Sequence, residues 1–287
     1  MDVQQYEGFT ARLDGEGILT VTFDRPETLN ASTIGMKRDL VELLTQAQLD
    51  DAIRVLLFTG RGRAFWAGDD MKSYESTAGA AMAPIGAGHH NPIGTYDALR
   101  AISQAVNVAA RNLDKLTIAA INGVAIQTGL SFALACDFRI AARSARLGSA
   151  TLRFGLLPDE GGHWLLVQHL GVARTMDFLM RKRIVTADEA LDLGLVHEVV
   201  DDDALEGAAL GLARELADGP QVAMRLLKRS IYTAAESPFQ HALDDIATKT
   251  AITDHHPDAK AGGRSFRTKE PPRFNEWLGG TTDRPAG

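Results

Sequence analysis

A single cysteine, Cys136, stands among the 287 residues. That excludes an intrachain disulfide framework and fits a reducing compartment. Set between an apolar run and Asp137, it reads as a small packed hydrophobe more readily than as a nucleophile. Long apolar stretches are also lacking: none approaches the roughly 18 residues of a membrane-spanning helix, and the first residues show no secretory leader pattern. Positive charge is scarce. With 30 Lys and Arg against 37 Asp and Glu, the formal charge is −7, which argues against nucleic acid as the main partner because phosphate binding needs a basic surface. An anionic small molecule, held by local amides and a few lysines, stays open. These absences predict a cytoplasmic protein with neither a membrane nor a nucleic acid as partner. What is present, 45% apolar and 23% charged residues, is enough for one large core.

The segments follow a strand-helix rhythm. Phe9 to Leu13 and Ile18 to Phe23 alternate around Asp14-Gly15-Glu16-Gly17, the pattern of a hairpin. Asn30, Ser32 or Thr33 is placed to cap a helix whose apolar face carries Met36, Leu40, Leu43, Leu44 and Ala47. Arg54 to Thr59 reads as a buried parallel strand. From Ser73 to Thr95 the periodicity is lost, and the stretch reads as a flap or a surface loop. Its paired His89 and His90 have no Cys, Asp or Glu at ligand spacing, so no metal is expected. Leu99, Ile102, Val106, Ala109 and Leu113 mark a further helix. Thr186 and Glu189 stand at capping-box spacing before another, and Leu195 to Val200 reads as a strand. Beyond Asp201 the pattern is helical, with Pro220 placed as the first residue of its helix. The fold class expected is α/β, residues 1–200 as the core and 201–287 as a helical extension.

The chain is organised around the stretch from Thr117 to Gly162. A buried strand, Thr117 to Ile121, turns at Asn122-Gly123 and runs through Thr128-Gly129 into the apolar helix Leu130 to Ala135. A helix start leaves amides without intrahelical partners, a setting for an oxyanion. A second unit leads to Phe154-Gly155-Leu156-Leu157-Pro158-Asp159-Glu160-Gly161-Gly162. The two acids there are either catalytic or first-turn residues that suit a helix dipole.

Four segments in order resemble the crotonase (enoyl-CoA hydratase/isomerase) superfamily: Ala64 to Met71, Ile121 to Ala125 with Thr128-Gly129 and Cys136-Asp137, Phe154 to Gly162, and Thr186 to Ala190 with Gly194-Leu195-Val196. The resemblance runs from about Ile18 to Phe274. It implies a crotonase (ClpP-like) spiral of β-β-α units with a helical C-terminal extension, assembled as a homotrimer or homohexamer. It implies an acyl-CoA substrate whose thioester carbonyl is gripped by two backbone amides, here those of Ala67 and Thr128, so that an enolate is stabilised where its charge develops. By the same resemblance Trp66, Gly68, Asp70, Met71, Gly129, Ser131, Thr151 and Leu157 border the acyl group. Arg61, Lys72, Phe266 and Lys269 would contact coenzyme A, which enters as part of the substrate; no permanently bound cofactor is implied.

The departures from the family pattern bear on the reaction. The two glutamates of the hydratases fall at Ser131 and Thr151, neither of which is a carboxylate. Glu160 instead matches the position of the single glutamate of some Δ3,Δ2-enoyl-CoA isomerases, and Asp159 matches an aspartate of dienoyl-CoA isomerases. One carboxylate suffices for a 1,3-proton shift, and an apolar pocket would raise its pKa. Three alternatives stand beside the isomerase: hydration by non-standard acids, cleavage of a β-diketone carbon-carbon bond with His163 or His90 assisting, and acyl-CoA binding without catalysis.

Overall fold

The computed structural model describes residues 3–70 and 92–278. Two sheets form, and successive strands alternate between them. In the larger, ordered β1-β2-β3-β4-β6-β8-β11, the strands β1 (Val3–Tyr6), β2 (Phe9–Leu13) and β3 (Ile18–Phe23) make an antiparallel meander. From β3 onward β4 (Val55–Gly60), β6 (Leu116–Ile121), β8 (Phe138–Ala142) and β11 (Glu198–Val200) continue in parallel. The smaller sheet, β10-β9-β7-β5, joins β5 (Ala64–Trp66), β7 (Val124–Ile126) and β9 (Arg146–Gly148) in parallel, with β10 (Ile184–Thr186) antiparallel at its edge. The unit is therefore one strand in each sheet followed by a helix: β6 and β7 lead into α4 (Thr128–Ala135), β8 and β9 into α5 (Gly162–Met180).

All six residues of β6 are buried because helices cover both faces of the large sheet. Leu19, Val21, Leu56, Phe58, Ala119 and Ile121 point into a core shared with α1 (Ile34–Leu49), α3 (Gln104–Asn112) and α4. Their alternating neighbours Ile18, Val55, Leu57, Ile118 and Ala120 meet Leu205, Ala209, Ala213 and Leu216 of α7 (Leu205–Asp218). The two-residue period of a strand divides one sequence between two cores.

Local chemistry sets the element ends. Thr33 is the residue that caps α1, its hydroxyl accepting from the Met36 amide at 3.1 Å. Asn30 turns its side-chain amide to the Ala64 carbonyl instead. The capping box of Thr186 and Glu189 forms at α6 (Ala187–Asp192). Two strand or helix starts differ from expectation. Only Glu198–Val200 of the strand expected at 195–200 pairs. Gly194, at φ 79, ends α6 and sends the Leu195 amide back to the Ala190 carbonyl. Pro220 precedes α8 (Gln221–Glu236) as its N-cap rather than opening it, since ψ 95 lies outside the helical range.

Of the aperiodic stretch, Pro92 to Thr95 is helical, in α2 (Pro92–Ala98), which runs through a π-helical turn at Leu99–Ser103 into α3. Met71, Lys72, His89 and His90 lie outside the described residues. The last helices, α9 (Phe239–Asp254) and α10 (Pro257–Thr268), pack beyond α8, and α9 buries none of its residues. Among the described residues no helix is long and apolar enough to cross a membrane.

Candidate active site

The site is built where the start of α4 is pressed against the end of β5. A Cβ on Gly129 would stand 1.8 Å from the Trp66 carbonyl oxygen, so only glycine permits this approach. The preceding Gln127 adopts φ 53 and ψ −110, a conformation rare for a residue with a side chain. No side chain caps the helix behind it, so the first amides of α4, that of Thr128 among them, have no intrahelical acceptor.

Facing it is the loop after β5. The Ala67 amide, expected to grip the substrate, donates to the Leu29 carbonyl at 3.1 Å and is already used. This corrects the assignment. Two residues on, Ser32 bridges Asp69: its amide donates to the Gly68 carbonyl at 2.9 Å, and its carbonyl accepts from the Asp70 amide at 3.0 Å. Neither bond uses the Asp69 amide, which has no acceptor among the described residues. The Asp69 side chain reaches α4, its Oδ1 lying 3.2 Å from Thr128 Oγ1. Among the described residues, the amides without an acceptor beside this junction include those of Asp69 and Thr128.

Glu160 closes the third side. Gly161, at φ 94, folds the chain between the acids and α5, and Gly162 comes so near α4 that a Cβ would stand 2.4 Å from Ser131 Oγ. The backbone is held from α3, Asn107 donating to the Glu160 carbonyl at 2.9 Å and Gln104 to that of Asp159 at 3.0 Å. Glu160 is 4% exposed. Its Oε1 accepts from the Thr128 hydroxyl at 2.5 Å and its Oε2 from Gln127 Nε2 at 3.0 Å. Burial raises its carboxyl above the ordinary glutamate range against the pull of the Thr128 bond, and the charges of Asp159 and Asp69 add to the rise. The carboxylate is thus turned to the start of α4 rather than to the helix that follows it. Asp159 is exposed, yet its carboxyl is also raised, by desolvation and then by Asp69, partly offset by its own backbone amide and Lys37.

Behind Asp69 lies a group that motif reasoning missed. Lys37 of α1 is 0% exposed, and its ammonium sits 2.8 Å from each Asp69 carboxylate oxygen. It also donates to Ser103 Oγ at 3.0 Å, a residue carried in by the π-helical turn. A signal was present: Lys37 shares its helix face with Leu40 and Leu44, three and seven residues on, a position where an apolar side chain is the norm.

The other expected site residues scatter. Trp66 is sealed in the core with 0% exposure, packed on Phe23 and Phe132, its indole N–H donating to the Gly68 carbonyl. It supports the loop and does not present its ring to a substrate. Gly68, at φ 98, faces Gln127, and Asp70 pairs with Arg25 at 2.9 Å. Ser131 is buried against Gly162. The Thr151 hydroxyl is buried with no partner among the described residues. Leu157 is 68% exposed beside Leu156 and Phe154, a small apolar surface leading to Asp159. Arg61 pairs with Asp24 and borders a polar cavity between the large sheet and α7, so it is not brought to Glu160. Phe266 is 76% exposed at the end of α10, with the Lys269 ammonium 4.6 Å from its ring. Cys136 is buried, its thiol pushed up to about 12 by desolvation, a packed and unreactive group. The described residues hold no group of three or more metal-ligating side chains.

A family model described as enoyl-CoA hydratase/isomerase matches residues 14–277. The chain is 34% identical over 262 residues to 1,2-epoxyphenylacetyl-CoA isomerase of Escherichia coli (strain K12), covering 90% of this chain and 95% of that protein. It is 31% identical over 268 residues to an enoyl-CoA hydratase of Alternaria alternata, covering 92% and 85%. Its fold superposes on the crystal structure of enoyl-CoA hydratase from Bacillus anthracis with a TM-score of 0.84 at 28% identity, over 93% of this chain and 98% of that one. The alternation of strands between two sheets and the helical C-terminal region are thus a crotonase spiral, in a family that acts on coenzyme A thioesters. With residues 14–277 matched by the family model and nine-tenths or more of the chain matched in sequence and in fold, the chain belongs to the enoyl-CoA hydratase/isomerase family.

Proposed function

We propose that the protein is an acyl-CoA isomerase that shifts a double bond with one carboxylate, that of Glu160. The observation that carries this reading is the placement of Glu160: buried, raised, and hydrogen-bonded to the residue whose amide opens α4. The thioester oxygen would lie between the amides of Asp69 and Thr128. Ionised Glu160 takes a proton from the α-carbon of a 3-enoyl thioester, and negative charge moves onto the oxygen that the two amides face. The resulting dienolate takes the same proton back at the γ-carbon, and the double bond ends next to the carbonyl. A base for this step needs a pKa raised toward the working pH, so that both protonation states are within reach. Burial supplies that condition here.

Other features support this reading over its rivals. Ser131 and Thr151 stand where the resemblance places the paired hydratase glutamates, and neither brings a carboxylate. The Escherichia coli relative is named as an isomerase of a CoA thioester. A β-diketone hydrolase would need a histidine at the acid. His163 is exposed and its ring lies on the Pro158 carbonyl. Coenzyme A contacts from Phe266 and Lys269, and assembly as a trimer or hexamer, belong to the same proposal. The unburied α9, with Phe239 and Ile252 exposed, supports the assembly.

The test is mass spectrometry of a panel of 2-enoyl and 3-enoyl thioesters incubated in heavy water with the protein and with Glu160→Gln. Isomerisation with little deuterium uptake from the solvent, lost in the variant, supports the reading. Addition of water that survives Glu160→Gln rejects it in favour of hydration. Binding without any change in a thioester rejects it in favour of a non-catalytic binder.

A further inference from the structure

The Thr128 hydroxyl lies between two carboxylates, 2.5 Å from Glu160 Oε1 and 3.2 Å from Asp69 Oδ1. A hydroxyl has one proton to donate and lone pairs to accept. While Glu160 is ionised, the short contact claims that proton. After Glu160 has taken a proton, its O–H can donate across the same contact to Thr128 Oγ1, and the threonine proton must then find another acceptor. Asp69 Oδ1 is in place. It is paired with the fully buried Lys37 ammonium and fixed by the Ser32 hydroxyl, which donates to Oδ1 at 2.9 Å. The second oxygen of Glu160 needs no such change. Gln127 Nε2 donates to it in either state, and the Ser149 hydroxyl donates to Gln127 Oε1 at 2.8 Å.

We propose that the Thr128 hydroxyl is a two-position switch that follows the protonation of Glu160, with Asp69 as its second acceptor and Lys37 as the cation paired with Asp69. Thr128 acts through both its amide and its hydroxyl, and Asp69 and Lys37 are positioning residues for the proton shift. The Lys37 charge has a second consequence. It offsets the Asp69 carboxylate, which would otherwise oppose negative charge developing beside its own amide. Among the described residues, the charged groups that face Glu160 are Asp159 beside it, Asp69 across Thr128, and Lys37 behind Asp69. From α3 it meets the neutral Asn107. This inference rests on Glu160 being the base, and its test is separate from turnover.

The test is a pH titration by NMR of the protein labelled with carbon-13 at the glutamate side-chain carboxyls, with no substrate present. The Glu160 resonance is identified by its loss in Glu160→Gln. Asp69→Asn is expected to lower the Glu160 midpoint by about one pH unit, the larger part because protonated Glu160 loses the carboxylate that accepts the threonine proton and the rest because a nearby like charge is removed. In the Thr128→Val background that shift should fall to less than half, while in the Thr128→Ser background it should persist. Equal shifts in all three backgrounds, or none in any, would overturn the switch, since the hydroxyl would then couple nothing. If Asp69→Asn does not fold, the Thr128 pair decides: valine should raise the midpoint and serine hold it, and identical midpoints overturn the proposal. Should Glu160→Gln retain isomerisation, the base assignment fails whatever the titration shows. If that variant is inactive and the couplings are absent, only the switch fails.

Discussion

Two buried Lys–Asp pairs, each with a 2.8 Å contact, occupy very different surroundings. Lys228 of α8 and Asp137, between α4 and β8, form the closed one. Asp137 Oδ2 also accepts from the Thr117 amide at 2.8 Å and the Thr117 hydroxyl at 2.9 Å, and its Oδ1 accepts from the Tyr232 hydroxyl at 2.7 Å. Every partner is a structural element, and the pair ties α8 to the large sheet. Lys37 and Asp69 form the open one. The lysine is just as deeply buried, but the Asp69 side chain is 25% exposed and shares an oxygen with the hydroxyl that serves Glu160. The same ion pair therefore fastens a fold in one place and, through the Thr128 hydroxyl, reaches the buried Glu160 carboxyl in the other. Burial alone does not separate the two roles; the difference lies in whether the carboxylate's last lone pair is committed.

Breaking each side should give opposite signatures. Glu160→Gln is expected to lower kcat for isomerisation by about 10²–10⁴-fold without lowering the melting temperature, checked by turnover and calorimetry on one preparation. Asp137→Ala should do the reverse. It strands the Lys228 ammonium and the Tyr232 hydroxyl, costs about 3–5 kcal/mol of stability in denaturant titration, and leaves the kcat of the folded fraction unchanged.

The pH dependence of stability sharpens the contrast. Glu160 binds its proton more tightly folded than unfolded, because burial raises its carboxyl. Between the ordinary glutamate value and the raised one the native state therefore holds more protons, and stability falls as pH rises through that window. Glu160→Gln should flatten this part of the curve, as read from denaturant midpoints across the acid range. The smallest effect should come from Arg61→Ala. Its exposed pair with Asp24 lies on the α7 side of the sheet, so kcat/KM is expected to stay within about twofold, in line with the small worth of surface ion pairs.

The fold was legible wherever burial writes a period into the sequence. The apolar runs of β4 and β6, the stripe of α1, and the capping box at Thr186 each declare themselves locally. Glu160 was legible by position. Its surroundings were not, because they depend on which amide is already used. The Ala67 amide looked free in the motif and is taken by Leu29, some forty residues earlier, a pairing no local pattern encodes. Trp66 could be placed beside the site, but only the packing of Phe23 and Phe132 shows that its ring faces away. Lys37 broke the apolar stripe and so announced an anomaly. Its partner Asp69 was hidden inside a motif whose neighbouring residues attracted the assignment.

The account turns on one carboxylate carrying one proton from the α-carbon to the γ-carbon. The most direct measurement uses a 3-enoyl thioester dideuterated at the α-carbon, converted in ordinary water and followed by mass spectrometry before equilibrium. The account predicts that part of the deuterium reappears at the γ-carbon of the 2-enoyl product, because a buried Glu160 exchanges with solvent more slowly than it returns the label. Product in which the transferred deuterium is wholly replaced by solvent hydrogen, formed with a hydrated intermediate and at an undiminished rate in Glu160→Gln, would contradict it.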